Sequence, residues 1–256
     1  MSATRKDRRE RERLESKVAR RALPLFKDSP VRAPIRLRYA MSLAEGATPA
    51  KVLDGAHAEA DAFAARVFAR DAAPACAAGC SHCCEKMRVG VNATEARELA
   101  THLRLLPPEK LGPVRERIAA NAARIKDTAI GTRPETTCAL LGDDKRCGVY
   151  ALRPFVCRRA HSFDADRCRR ATAGEDVGIT VDARVVGIYS EVATAFREAS
   201  AAFGGDAESY ELHHALDILL RDASGDLSPA REKSDVSATR KTEDALNAAL
   251  RPKPSP

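Results

Sequence analysis

Between residues 49 and 70 the apolar positions Leu53, Ala56, Ala60, Phe63 and Val67 fall at steps of three and four. That spacing lines one face of an α-helix. The helix is expected to start at Pro49 and to end by Pro74, because proline cannot continue it. Further stripes repeat the pattern. Leu99, Leu103 and Leu106 follow Asn92, which with Glu95 three residues on reads as a capping box. Val114, Ile118, Ala122 and Ile125 predict a helix starting near Pro113. Val185, Ile188, Tyr189, Val192 and Phe196 predict another after Thr180, and Leu212, Ala215, Leu216 and Leu219 one more within "YELHHALDILL". Only Met87–Val91 reads as extended, and no series of strands alternates with helices. The expected fold class is therefore mainly α.

Residues 128–170 break this periodicity. Gly131, Pro134, Gly142, Gly148 and Pro154 interrupt it, and the apolar residues are too sparse for an ordinary core. The two ends differ again. Residues 1–22 are charge-dense and predict a transient helix without packing. Residues 23–48, with Pro24, Pro30 and Pro34, read as a linker. From Ser224 the chain is polar and ends in "RPKPSP", with one short helix around Glu243–Leu250. The expected organisation is a basic, largely disordered segment over 1–48, a helical domain over 49–222 built around a loop-rich insert, and a polar, disordered tail over 223–256.

Composition sharpens this picture. Aromatic residues are 4% of the chain and tryptophan is absent, so Ala, Leu and Val must fill the core. No apolar run approaches the roughly 18 residues of a membrane span. The start, MSATRKDRRERERLESK, lacks the apolar stretch of a secretory signal, so a cytoplasmic location is expected. The net charge of +7 is uneven: residues 1–40 hold 13 Lys/Arg against 5 Asp/Glu, and residues 76–170 hold 18 against 11. The first block could meet a nucleic acid or an acidic partner, but a solvated, disordered tail is the favoured reading. The second block contains all eight cysteines.

Those cysteines read Cys76-x3-Cys80-x2-Cys83-Cys84, then Cys138-x8-Cys147-x9-Cys157-x10-Cys168. Structural disulfides conflict with a reducing compartment, and the neighbours Cys83 and Cys84 could bridge only through a strained ring. Buried free thiols would not arrive so tightly spaced in a glycine-containing loop. Metal ligation fits: thiolates suit zinc and iron–sulfur clusters, and eight of them make two four-sulfur sites or one larger cluster. Cys83 and Cys84 point in different directions in most backbone conformations, so either each serves a different metal or one ligates and its neighbour does not. Lys145, Arg146, Arg158, Arg159, Arg169 and Arg170 flank the later cysteines, where cations favour thiolate. His82 and His161 are spare donors with a surface or supporting role expected, and His213 and His214 read as structural.

The first three cysteines also have the spacing of the radical S-adenosylmethionine loop. That family places an aromatic before the third cysteine, where this chain has His82, and its barrel needs strand–helix repeats that are missing here. The fuller pattern resembles another family. "CAAGCSHCC", the later run of Cys147, Tyr150, Arg153, Pro154, Cys157 and Arg158, and a last cysteine resemble the CxxxCxxCC family of zinc- or iron-chelating domains, the YkgJ-type cysteine cluster proteins, over roughly residues 70–220. The resemblance implies a metal-binding role, with zinc and iron–sulfur both open. One branch of the family is the flagellin lysine N-methylase. A cluster-dependent enzyme, methyl-transferring or redox, is thus a second reading, although no glycine-rich strand–loop–helix for S-adenosylmethionine is present. A nucleic-acid- or protein-binding zinc module is a third. In the shared run, Pro154 is expected to open a short helix carrying Cys157, with Arg153 outside it, Arg158 inside it and Tyr150 packed over the site.

Overall fold

A computed structural model describes residues 5–24, 28–86, 88–125 and 136–231. The expected helix near residues 243–250 and the polar end of the tail lie outside this range, as do Met87 and the start of the irregular stretch. The helical expectation holds. In chain order the elements are α1 (Arg5–Arg21), α2 (Arg32–Ala44), α3 (Pro49–Arg70), α4 (His82–Glu85), β1 (Gly90–Asn92), α5 (Ala93–Arg104), α6 (Pro108–Ile125), α7 (Phe155–Arg158), α8 (Ala165–Thr172), α9 (Ala183–Ala202), β2 (Ser209–Glu211) and α10 (Leu212–Arg221). Short 3-10 turns cover Tyr150–Leu152 and Ser228–Ala230. The chain divides into two compact units: Met1–Ala60 with Ser190–Ala207, and Asp61–Tyr189 with Glu208–Pro256.

In the first unit α1 packs against α2 and buries Val18. Within residues 1–48 the described residues thus form two packed helices, which corrects the expectation of a transient helix and a linker. The reason is pairing. Pro34 sits in the first turn of α2, where its missing N–H costs little. Ile35, Tyr39 and Ala40 then bury an apolar face. The charges that disguised this helix are buried beside it: Arg36 donates to Asp28 at 2.7 and 2.9 Å and to Glu198 at 3.0 Å. Arg32 lies 3.6 Å from both Glu191 and Glu198. A buried charge is tolerable only when so compensated.

The second unit contains every cysteine. Its frame is a two-stranded antiparallel sheet with Gly90 opposite Glu211 and Asn92 opposite Ser209. Asn92 and Glu95 form the expected capping box at the start of α5. Helix α6 begins at Pro108 rather than near Pro113, which lies inside it. Helix α10 packs on α5 and α6, and Leu99, Leu103, Ile118, Leu212, Leu216 and Leu219 are at most 2% exposed. Ala139, Leu140 and Val149 join the same core, with Cys138, Cys147 and Cys157 packed against it. The irregular stretch is therefore not without hydrocarbon support. Its few apolar side chains enter a core built by other elements, so they need no periodicity of their own.

Candidate metal centre

The first cysteine strip is an exposed loop tied down at few points. Ala75 N–H donates to Ser162 at 2.8 Å, and Gly79, at φ +88°, makes the turn that returns Cys80 N–H to the Ala77 carbonyl at 3.0 Å. The positive φ suits glycine because it lacks a Cβ. The chain then closes into α4, where Ser81 donates to Glu85 at 2.8 Å. Helix α4 packs against α8, and the Thr172 hydroxyl lies 3.3 Å from the His82 carbonyl and 2.9 Å from that of Cys168. Cys168 is thereby brought to the first strip from 84 residues away in sequence.

The second strip is woven into the core. Cys138 N–H donates to the Cys84 carbonyl at 2.7 Å. A tight return through Lys145, at φ +62°, pairs Leu141 with Cys147 and lets Gly148 N–H reach Leu140 at 2.8 Å. Pro154 then caps α7, with Arg153 outside the helix and Arg158 inside, as the sequence suggests. Phe155 N–H donates to Glu95 Oε1 at 2.8 Å, while Oε2 of the same carboxylate accepts from Asn92 N–H at 3.0 Å. One buried carboxylate therefore fixes both the start of α5 and the helix that carries Cys157. Arg158 bonds the Arg153 carbonyl at 2.6 Å and Asp61 at 2.6 Å, and also reaches the Ala151 carbonyl. Tyr150 does not cover the site. It is 68% exposed, with the Arg153 guanidinium 4.7 Å from its ring centroid.

All eight cysteines are free thiols. Their mutual fields overlap at Cys83. Cys76, whose partly desolvated thiol is raised, feels Cys80, Cys83 and Cys168. Cys157 is pushed well up by burial, then by Cys138, Cys83 and Cys147, against the pull of Arg153. Cys147 is raised by burial and neighbours Cys138 and Cys83. Cys84 is held far up because it donates to Cys83 and is desolvated, with Cys138 and Cys157 adding. Cys83 receives that hydrogen bond and falls to about 6 against partial desolvation of its sulfur, helped by Arg153. Cys83 thus neighbours Cys76 as well as Cys147 and Cys157, with Cys84 beside it. Among the described residues, no three His, Cys, Asp or Glu side chains converge closely enough to hold a metal ion as they stand.

His161 is occupied elsewhere. Nδ1 lies 2.8 Å from the Arg159 carbonyl, Nε2 accepts from Asp182 N–H at 2.8 Å, and the ring packs on Phe68 and Phe163. His82 Nδ1 is buried without a hydrogen-bond partner. The histidine that meets the thiols is His213. It is 1% exposed, Nδ1 lies 3.1 Å from Glu211, and Nε2 accepts from Ala139 N–H at 3.2 Å. A charged ring would point Nε2–H at the Ala139 N–H, so the 3.2 Å contact as it stands belongs to the neutral ring with its proton on Nδ1. One sequence signal marks His213: it lies three residues before Leu216, on the buried face of α10, whereas His214 is only partly buried.

Residues 75–175 match the CxxCxxCC family, described as "Putative zinc- or iron-chelating domain". The match supports metal binding by this span, by zinc and by iron alike. It contains all eight cysteines and stops short of α9 and α10, so "YELHHALDILL" falls outside it. No curated protein and no solved structure matches the chain. Among the described residues no helix is long and apolar enough to cross a membrane.

Proposed function

We propose that this chain is a two-site metal-binding protein. Cys76, Cys80, Cys83 and Cys168 form an outer four-sulfur site. Cys84, Cys138, Cys147 and Cys157 form an inner one. The observation that carries the reading is the seam: Cys83 and Cys84 are adjacent, yet Cys84 is tied through its carbonyl to Cys138, while Cys76 neighbours Cys83 and Cys168. Four sulfurs in a tetrahedron suit zinc and iron equally.

The donor set fits in kind and number. Ligation requires the thiols to swing from their present rotamers, a displacement of about 3 Å at Sγ between staggered positions. It also breaks the Cys84–Cys83 hydrogen bond, since each sulfur then faces its own ion. Each zinc–tetrathiolate would carry about −2, and the Arg153 guanidinium, which stabilises charge on Cys83, Cys147 and Cys157, is the nearest offset.

The test is elemental analysis with a visible spectrum on chain purified without oxygen. About two ions per chain are expected, with visible colour marking iron and its lack zinc. Cys76→Ser and Cys138→Ser should each remove one ion and together both. Metal content near zero in the unaltered chain ends the proposal. Loss of both ions in either single variant would replace two sites by one shared cluster.

A further inference from the structure

Glu211 and the neutral His213 form a buried hydrogen-bonded pair with side chains 2% and 1% exposed. They lie outside the matched domain, on the far side of the chain from the cysteine strips in sequence. Burying such a pair is costly unless its geometry serves something. Both ends of the pair are used. Glu211 Oε2 accepts from His214 N–H at 2.8 Å and so caps α10, leaving Oε1 for His213 Nδ1. His213 Nε2 is then fixed on the peptide that joins Cys138 to Ala139.

We infer that Glu211 and His213 are positioning residues for the inner thiol group: they hold the Cys138–Ala139 peptide against α10 and make the inner site the tighter of the two. This rests on the two-site reading. His213 is not itself a ligand, because its Nε2 lone pair already accepts from Ala139 N–H. Other bonds fasten the same segment. Asn121 Nδ2 donates to the Thr137 carbonyl at 2.7 Å, Arg117 Nε donates to Ala139 at 3.2 Å, and Cys138 N–H donates to Cys84 at 2.7 Å. His213 is the member that reaches this peptide from the centre of the core, and the Glu211 carboxylate orients it. The thiols of the outer group have a lighter frame: Cys76 and Cys83 are exposed, and the Cys76 sulfur lies 3.9 Å from the Ser162 carbonyl.

The experiment uses the full chain with Cys76→Ser, so that the inner ion is watched alone, loaded with Zn²⁺ and challenged with a chromophoric chelator. His213→Leu fills the space without an acceptor for Ala139 N–H. His213→Gln keeps an acceptor carbonyl. Release from the Leu variant should be about 10–100-fold faster, the usual cost of losing an outer-sphere partner. Release from the Gln variant should stay within about threefold of its His213 parent. Equal release from all three overturns the inference. If the Leu variant loses its helical circular dichroism, the Gln variant decides alone: near-parental release supports the inference, and release about tenfold or more faster than from the parent overturns it. Absence of Zn²⁺ from the parent would instead count against the two-site reading itself.

Discussion

The outer and inner thiol groups share one chemistry and differ in mechanical setting. Cys76 stands exposed on a loop turned by Gly79, Cys83 stands exposed on the one-turn α4 that follows, and α8, an eight-residue helix carrying Cys168, packs against α4. Cys138, Cys147 and Cys157 lean on a core made by α5, α6 and α10; Asn121 donates to the Thr137 carbonyl, and His213 and Glu95 accept from the Ala139 and Phe155 N–H groups, which fixes the peptides beside Cys138 and the start of the helix that carries Cys157. A loop with few buried contacts opens at low free energy, whereas core elements open only near the global limit. On the two-site proposal, this contrast predicts that the backbone behind the sulfurs, and not ligand identity alone, sets how firmly each ion is held.

The contrast can be broken most decisively by chelation. Under reducing, oxygen-free conditions the outer ion should leave first, by about tenfold or more, which corresponds to roughly 1.4 kcal/mol in opening free energy. Limited proteolysis should then cut near residues 76–81 before it cuts near 140–150. A single release phase with simultaneous cleavage would dissolve the distinction between the sites. The next effect concerns the core. Leu216→Ala should cost about 2–5 kcal/mol through the cavity it leaves, measured by denaturant unfolding, and should speed inner release far more than outer release. Equal acceleration would mean that the core does not discriminate. A smaller effect is expected at Glu95. Glu95→Ala removes the capping box and the acceptor of Phe155 N–H together, for about 1–3 kcal/mol. Glu95→Gln, which keeps one acceptor oxygen, should recover part of that, with inner release as the second readout.

How far the chain could be read in advance depends on how local each feature is. The stripe of Leu212, Ala215, Leu216 and Leu219 and the Asn92–Glu95 capping box are decided within a dozen residues, and both stand as expected. So does the short helix after Pro154. Helix α2 was hidden because its charges are neutralised by Glu191 and Glu198, more than 150 residues away. Ala139, Leu140 and Val149 enter the core from a loop and leave no periodic trace. Strand β2 has three residues, too few for an alternating pattern, and exists because β1 offers it an edge. In the cysteine set the spacing marks the donors, and adjacency separates Cys83 from Cys84. Which distal cysteine neighbours which proximal one follows only from the packing of α8 on α4 and the bond of Cys138 to Cys84. His213 had a face but no partner in the sequence, since Ala139 lies 74 residues upstream.

The smallest effect lies at the seam itself. In metal-free protein Cys84 donates to Cys83, and this bond, against partial desolvation of the sulfur and with help from Arg153, lowers Cys83 from 9.0 to about 6. A thiol whose folded pKa is lowered favours the folded state fully above its unfolded value, and that contribution fades as pH falls from 9.0 towards 6. Cys83 should therefore be the first cysteine alkylated by iodoacetamide at neutral pH, with a rate that drops as pH approaches 6. Cys84→Ala removes the donor, so the midpoint should move up towards the ordinary thiol range, read by mass spectrometry of the labelled peptide across pH. Zinc loading of the unaltered chain should abolish the labelling, because the sulfur that now accepts a proton from its neighbour would then face an ion. If Cys76 labels faster than Cys83 at neutral pH, or if Cys84→Ala leaves the profile unchanged, the two sulfurs are not coupled. The seam would then lie elsewhere in the cysteine set, and the division into outer and inner groups would have to be redrawn around it.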